Sequence, residues 1–92
     1  MAYKNKNGEN LYMFGWLEAK PGSKDFRPTT GGNSEWAKTK REAIAKVNRE
    51  RKEFEKKNPA YVQLRVNPST VHRAKSSEEF ASFDQALCMM TI

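Results

Sequence analysis

Apolar positions along the chain gather in four stretches separated by turn-forming runs, and each stretch has its own period. Leu11 to Ala19 (Leu-Tyr-Met-Phe-Gly-Trp-Leu-Glu-Ala) alternates as a strand does, with Tyr12, Phe14 and Trp16 on one face and Leu11, Met13 and Leu17 on the other. Lys20-Pro21-Gly22-Ser23 is a turn signal that ends it. Asp25 to Thr29 predicts a second strand, kept short or at a sheet edge by Pro28, which has no N–H to give to a ladder. Thr30-Gly31-Gly32-Asn33-Ser34 reads as a flexible loop before Trp36.

The period then changes from two to that of a helix. Lys40 to Lys57 is predicted helical, opened by Thr39 with Glu42 three residues on, a capping box, and stopped by Asn58-Pro59. Ala43, Ile44, Val47 and Phe54 form a narrow apolar stripe suited to packing on a small sheet, with Trp36 and Phe54 expected in the core. Ala60 to Asn67 reads as a strand with Val62, Leu64 and Val66 inward and Tyr61, Gln63 and Arg65 outward; Asn67-Pro68-Ser69 turns the chain. Ser76 with Glu79 is a second capping box, and Phe80, Phe83, Leu87 and Met90 follow at helical spacing. That predicts a C-terminal helix, with a strand over Leu87 to Ile92 as the alternative ending. The order is β-β-α-β plus a C-terminal element, an α+β fold in which a small antiparallel sheet is covered by one long helix.

Length and composition narrow the picture. Ninety-two residues make one domain, 1–92, with residues 1–9 polar and expected to fray. Only 37% of the chain is hydrophobic, but two Trp, three Tyr and five Phe are enough to found a core. No stretch approaches a membrane span, and the segment from Met1 to Gly8 lacks the apolar centre of a signal peptide, so no membrane partner is expected. A single cysteine, Cys88, forms no internal disulfide, which fits a reducing cytoplasm.

Candidate chemistry is sparse. One histidine, His72, and one thiol, Cys88, fall short of the ligands a structural zinc site needs, and each reads as structural. Glu78-Glu79 and Glu53/Glu55 are sequence neighbours that a helix points in different directions, and Gly31-Gly32 has no following Lys-Ser or Lys-Thr for a P-loop. The expectation is no enzyme, no cofactor and no metal.

Charge is the positive signal. Seventeen Lys and Arg against eleven Asp and Glu leave the chain at +6, and Lys38 to Lys57 alone holds nine basic and four acidic residues. At ~100° per residue, Arg41, Arg49, Lys52 and Lys56 share a sector of about 80° beside Ala45, away from the apolar stripe. Such a ridge suits a phosphate backbone, whose neutralisation releases counterions. The same helix also offers Glu42–Lys46 and Glu53–Lys57 as i,i+4 pairs, the pattern of an ordinary solvated helix. Tyr12, Phe14 and Trp16 on one strand face, or Tyr61 with Arg65 on another, could stack bases. A domain this small needs Phe14, Trp16 and Trp36 in its core, so Tyr61 and Arg65 are the expected exposed platform. Past Phe80, Phe83 and Leu87, the uncharged ending leaves Met89, Met90 and Ile92 as a candidate patch for a partner or a second copy of the chain.

Two resemblances point the same way. Phe14-Gly15-Trp16 on a first strand, then Trp36-Ala37-Lys38-Thr39 leading into a helix and a last strand, resembles small phage-encoded antitoxins that block a bacterial endoribonuclease toxin, over about residues 11–66. The opening Thr39-Lys40-Arg41-Glu42-Ala43 after short strands is similar to the arm-type DNA-binding domain of phage integrases, from which this chain departs by its further strand and C-terminal element. No family binding residue carries over in either case. The resemblance implies a phage accessory protein in the host cytoplasm that binds RNA or DNA and inhibits a host ribonuclease toxin or defence system. The alternative is a protein-only module docking on an acidic partner surface.

Overall fold

Alternation along the first strand determines the architecture, because both of its faces carry large apolar side chains and both must be covered. The computed structural model describes residues 3–90, with side chains as far as Gln85. Strand β1 (Asn10–Ala19) is central, paired antiparallel on one side with β2 (Arg27–Ala37). On its other side it pairs with β3 (Gln63–Val66) and then with the two-residue β4 (His72–Arg73). Between β3 and β4 a short 3-10 turn, Pro68–Thr70, leaves the ladder. Gly15 stays paired there, its N–H donating to Thr70 Oγ1 at 2.8 Å and its carbonyl accepting from Asn67 N–H at 2.8 Å.

Helix α1 (Lys40–Lys57) lies on the Tyr12–Phe14 face, where Ala37, Ala43, Val47, Val66 and Val71 complete one core with Ile44 and Trp16 at its margin. Helix α2 (Ser77–Met90) lies on the opposite face. Its Phe80 and Phe83 pack with Leu11, Met13, Ala74, Trp36 and Tyr3 in a second core. The sheet is therefore covered on both faces. Both helix starts use the expected caps: Thr39 Oγ1 accepts from Glu42 N–H at 3.2 Å and Ser76 Oγ from Glu79 N–H at 3.1 Å. In each case the glutamate reaches back one residue further, to Lys38 N–H or Lys75 N–H.

Several boundaries differ from the sequence reading. The run Thr30–Ser34, expected as a loop, belongs to β2, which extends from Arg27 to Ala37. Polar and glycine residues suffice because β2 is an edge strand whose ladder to β1 is backbone bonding; Gly32 faces Gly15, and a bulge absorbs Thr29, Thr30 and Gly31 opposite Trp16. Pro28 sits on this edge, as proline requires. The third strand begins at Gln63 instead of Ala60, because Tyr61 N–H bonds back to the Asn58 carbonyl at 3.1 Å and holds residues 58–61 in a turn. Residues 3–9 carry a turn of their own, closed by Asn5 Oδ1 accepting from Asn7 and Glu9 N–H, and Tyr3 stacks 5.2 Å from Trp36. The C-terminal segment is helical to Met90, not a strand from Leu87. The side chains of Met89 and Met90, and all of Ile92, lie outside the described residues.

Phe54 is a correction. It is 38% exposed, not core, and packs its ring against Tyr61 and under the Arg51 guanidinium. The position on the apolar stripe facing the sheet is taken instead by Ala43 and Val47, whose small side chains let α1 approach Phe14.

A second set of contacts ties α1 to the sheet. The N–H groups of Leu64 and Val66 point away from β1, where an edge strand would leave them bare. Asn48 Oδ1 takes Val66 N–H at 2.8 Å and Glu55 Oε2 takes Leu64 N–H at 2.9 Å. Two outcomes follow for urea denaturation. Phe14→Ala, at 1% exposure, should cost about 3–5 kcal/mol, whereas Phe54→Ala should cost about 1 kcal/mol, the scale of an exposed aromatic pair. Asn48→Ala should cost about 1–3 kcal/mol by leaving the Val66 N–H unpaired; a loss within the noise of a surface substitution would show that the edge bond contributes nothing.

Candidate nucleic-acid interface

The helix that packs Ala43 and Val47 inward and aims Asn48 and Glu55 at β3 exposes the rest of its circumference, with Glu42, Glu50, Glu53 and Lys57 on one part of it and a basic stripe on the other. Arg41, Arg49, Lys52 and Lys56 occupy the stripe, and all four are exposed. At 1.5 Å per residue the stripe runs about 22 Å from Arg41 to Lys56. None of the four takes part in an ion pair among the described residues. Of the i,i+4 pairs on the helix only Arg51–Glu55 forms among the described residues. Glu42–Lys46 and Glu53–Lys57 do not: Lys46 reaches across to Glu35 at 2.6 Å and Glu42 is occupied at the helix cap, while Glu53 and Lys57 make no ion pair among the described residues.

At its C-terminal end the stripe meets a groove of about 270 Å³, where the structure brings together Lys52, Lys56, Tyr61 and Arg65. Arg41 and Arg49 lie outside it, beside separate depressions along the helix. Pro21 and Gly22 of the β1–β2 turn form one wall and Pro59 of the post-helix turn another. The sequence marked both runs only as chain breakers; what brings them to one groove is Gln63, whose Nε2 donates to the carbonyls of Lys20 at 2.8 Å and Ser23 at 2.7 Å. Tyr61 is 58% exposed and meets Phe54 edge-to-face at 5.3 Å between centroids.

Arg65 departs from expectation. Its side chain is only 18% exposed and is committed to the fold, with Nη1 donating to Glu55 Oε1 at 2.7 Å and to the Leu64 carbonyl, while the guanidinium lies 5.4 Å from the Phe26 ring centre. Alternation along β3 suggested a free outward residue, but α1 overhangs the strand edge and presents Glu55 to it. Glu55 thus holds three partners at once: Leu64 N–H, Arg65 and, at 3.3 Å, Arg51. Burial pushes its carboxyl up, but the Leu64 and Arg65 hydrogen bonds and the charges of Arg65 and Arg51 outweigh it and hold it below the usual 4.5. Lys46 is shifted the other way, raised first by its hydrogen bond to Glu35 and then by that carboxylate's charge.

Elsewhere the described surface offers less. A depression of about 780 Å³ at the turn end of the β1–β2 hairpin mixes Glu18 and Asp25 with Lys20 and Arg27, and Arg27 is already paired to Asp25 at 3.0 Å. His72 is exposed on β4, its Nδ1 3.0 Å from the Thr70 carbonyl; the Cys88 side chain lies outside the described residues. Among the described residues no three His, Cys, Asp or Glu side chains cluster to hold a metal, and no helix is long and apolar enough to cross a membrane. No protein-family model, curated protein or solved structure matches the chain.

The Glu55 shift fixes a pH dependence. Because folding lowers this pKa, the associated stability is fully present above the unfolded value and is lost as pH falls through the folded one. Wild-type protein should lose stability below about pH 4.5, and Glu55→Gln should be weaker at neutral pH but lose less on acidification. Urea midpoints measured from about pH 7 to about pH 3 check this; parallel curves for the two proteins would remove Glu55 from the acid response.

Proposed function

We propose that the protein binds RNA or DNA through the outward stripe of α1 and the groove at its end. One observation carries the reading: Arg41, Arg49, Lys52 and Lys56 stand on a single exposed side, without acidic partners among the described residues, while the acidic residues of the helix are engaged elsewhere or lie on other faces. A row of unneutralised cations on a rigid helix favours a polyanion, and the counterions it displaces make binding entropically favourable at low salt. Tyr61, exposed beside Lys52 and Lys56, adds a contact that a protein carboxylate surface would not use but a nucleobase would.

The resemblance to phage antitoxins extends this reading to a role: an accessory protein that blocks a host ribonuclease toxin or defence system, with nucleic acid as part of the blocked complex. A pull-down from host lysate with and without nuclease tests that role. A captured protein that is released by nuclease supports it; one that stays bound after nuclease supports the protein-only module.

Replacing Arg41, Arg49, Lys52 and Lys56 together by Glu should abolish binding and leave the circular dichroism spectrum and melting temperature near those of the wild type, since none of the four is buried. Wild-type affinity should fall steeply with salt, each phosphate contact contributing about 0.7–0.9 to the logarithmic slope. Unchanged affinity in the variant, or a flat salt dependence in the wild type, would end the nucleic-acid reading.

A further inference from the structure

Resting on the nucleic-acid reading, we propose that the groove beside Tyr61 selects single-stranded nucleic acid by stacking one unpaired base on the tyrosine ring while Lys52 and Lys56 hold the flanking phosphates. Exposure of the ring is the first ground. Phe54 meets Tyr61 at an interplanar angle of 73°, so that contact covers at most one of the tyrosine's faces. Phe54 itself is the poorer platform, because the Arg51 guanidinium already sits 4.6 Å over its ring centre. Tyr61, at 58% exposure, is the most exposed of the large apolar and aromatic side chains among the described residues.

Preorganisation is the second ground. Tyr61 is fixed at its backbone by the bond to the Asn58 carbonyl, and Asn58 in turn caps α1 through Nδ2 on the Phe54 carbonyl at 2.8 Å. Gln63 holds the opposite wall, with Pro21, through its two bonds to the hairpin turn. Neither wall has to be ordered when a ligand arrives, and prolines on both sides present flat apolar surface against which a base can lie.

Electrostatics are the third. The one carboxylate in the groove, Glu55, is satisfied by Arg51, Arg65 and the Leu64 N–H, so it is not free to repel a phosphate. Lys52 and Lys56 are one helical turn apart on the rim and are left to attract one. A cationic rim next to an exposed aromatic ring is how single strands are held without sequence preference. In a duplex the bases are stacked on one another and their faces are closed to Tyr61, so a duplex can use the lysines but not the ring. An acidic protein segment likewise could use the lysines alone.

The test is fluorescence anisotropy on the full chain with labelled oligo-dT and oligo-U, a duplex of matched length, and polyglutamate as competitor. The wild type should prefer the single strands over the duplex by about ten-fold or more, and Tyr61→Ala should weaken single-strand binding by a similar factor while leaving duplex affinity and the salt slope unchanged. Tyr61→Phe should restore binding, which separates stacking from any role of the hydroxyl. Circular dichroism on each variant confirms the fold. Equal affinity of the wild type for single strand and duplex, or a silent Tyr61→Ala, overturns the stacking proposal while the salt-dependent ridge contacts stand. Displacement by polyglutamate with no effect of Tyr61→Ala assigns the surface to an acidic protein and overturns it too. Absence of binding to every nucleic acid overturns both this inference and the reading beneath it.

Discussion

An edge strand presents a row of backbone groups with no ladder partner, and among the described residues it is α1 that lies against the outer edge of β3. The helix answers with Asn48 and Glu55, seven residues apart and so on one stripe, which take the outward N–H groups of Val66 and Leu64. This contact does more than cap an edge. Together with the docking of Ala43 and Val47 over Tyr12 and Phe14, it fixes the roll of the helix about its own axis. A helix with one stripe on a sheet face and another on a strand edge has no rotational freedom left. Its solvent side is then dictated, and Arg41, Arg49, Lys52 and Lys56 fall together on the part of it next to the β3 edge, with Glu42, Glu50 and Glu53 further round. The basic surface is the geometric remainder of how α1 is seated.

Glu55 links that seating to the groove. A half-buried carboxylate is unfavourable unless its lone pairs are used, and here an N–H and two guanidiniums use them. The arrangement withdraws Arg65 and Arg51 from the surface and leaves Lys52 and Lys56 unopposed. Arginine suits the inner positions, where its planar fork serves several acceptors, and lysine the outer ones, where a flexible point charge can follow a ligand.

Most of the fold could be read from the chain because its signals were local. The alternation of Leu11 to Leu17 gave both faces of β1, and the Thr39/Glu42 and Ser76/Glu79 pairs located both helix starts. What escaped was long-range. Gly31 and Gly32 look like loop residues, but they join β2 because β1 already offers a backbone ladder opposite them. His72 and Arg73 have no apolar pattern, and only the return of the chain alongside Tyr12 and Met13 makes them a strand. The candidate site divides in the same manner. Helical periodicity alone placed Arg41, Arg49, Lys52 and Lys56, since the angle between residues on a helix is fixed. Arg65 was misread as free because its partner Glu55 lies ten residues away on another element, and Pro21 and Pro59 carried no sign that Gln63 would bring their turns to one groove.

The seating of α1 on two stripes also has a historical meaning. Substitutions at Asn48 and Glu55 disturb the strand edge, and those at Ala43 and Val47 disturb the core, but those on the outward stripe meet no neighbour that resists them. Selection for a new ligand can therefore rewrite the outer surface without first passing through a destabilised ancestor. Kinship to this chain is to be sought in the spacing of small and amide or carboxylate residues along the helix, together with the alternation of β1. The lysines and arginines that give the surface its present character are held by no ion pair of the fold among the described residues, so what they bind, and not how the chain folds, constrains them.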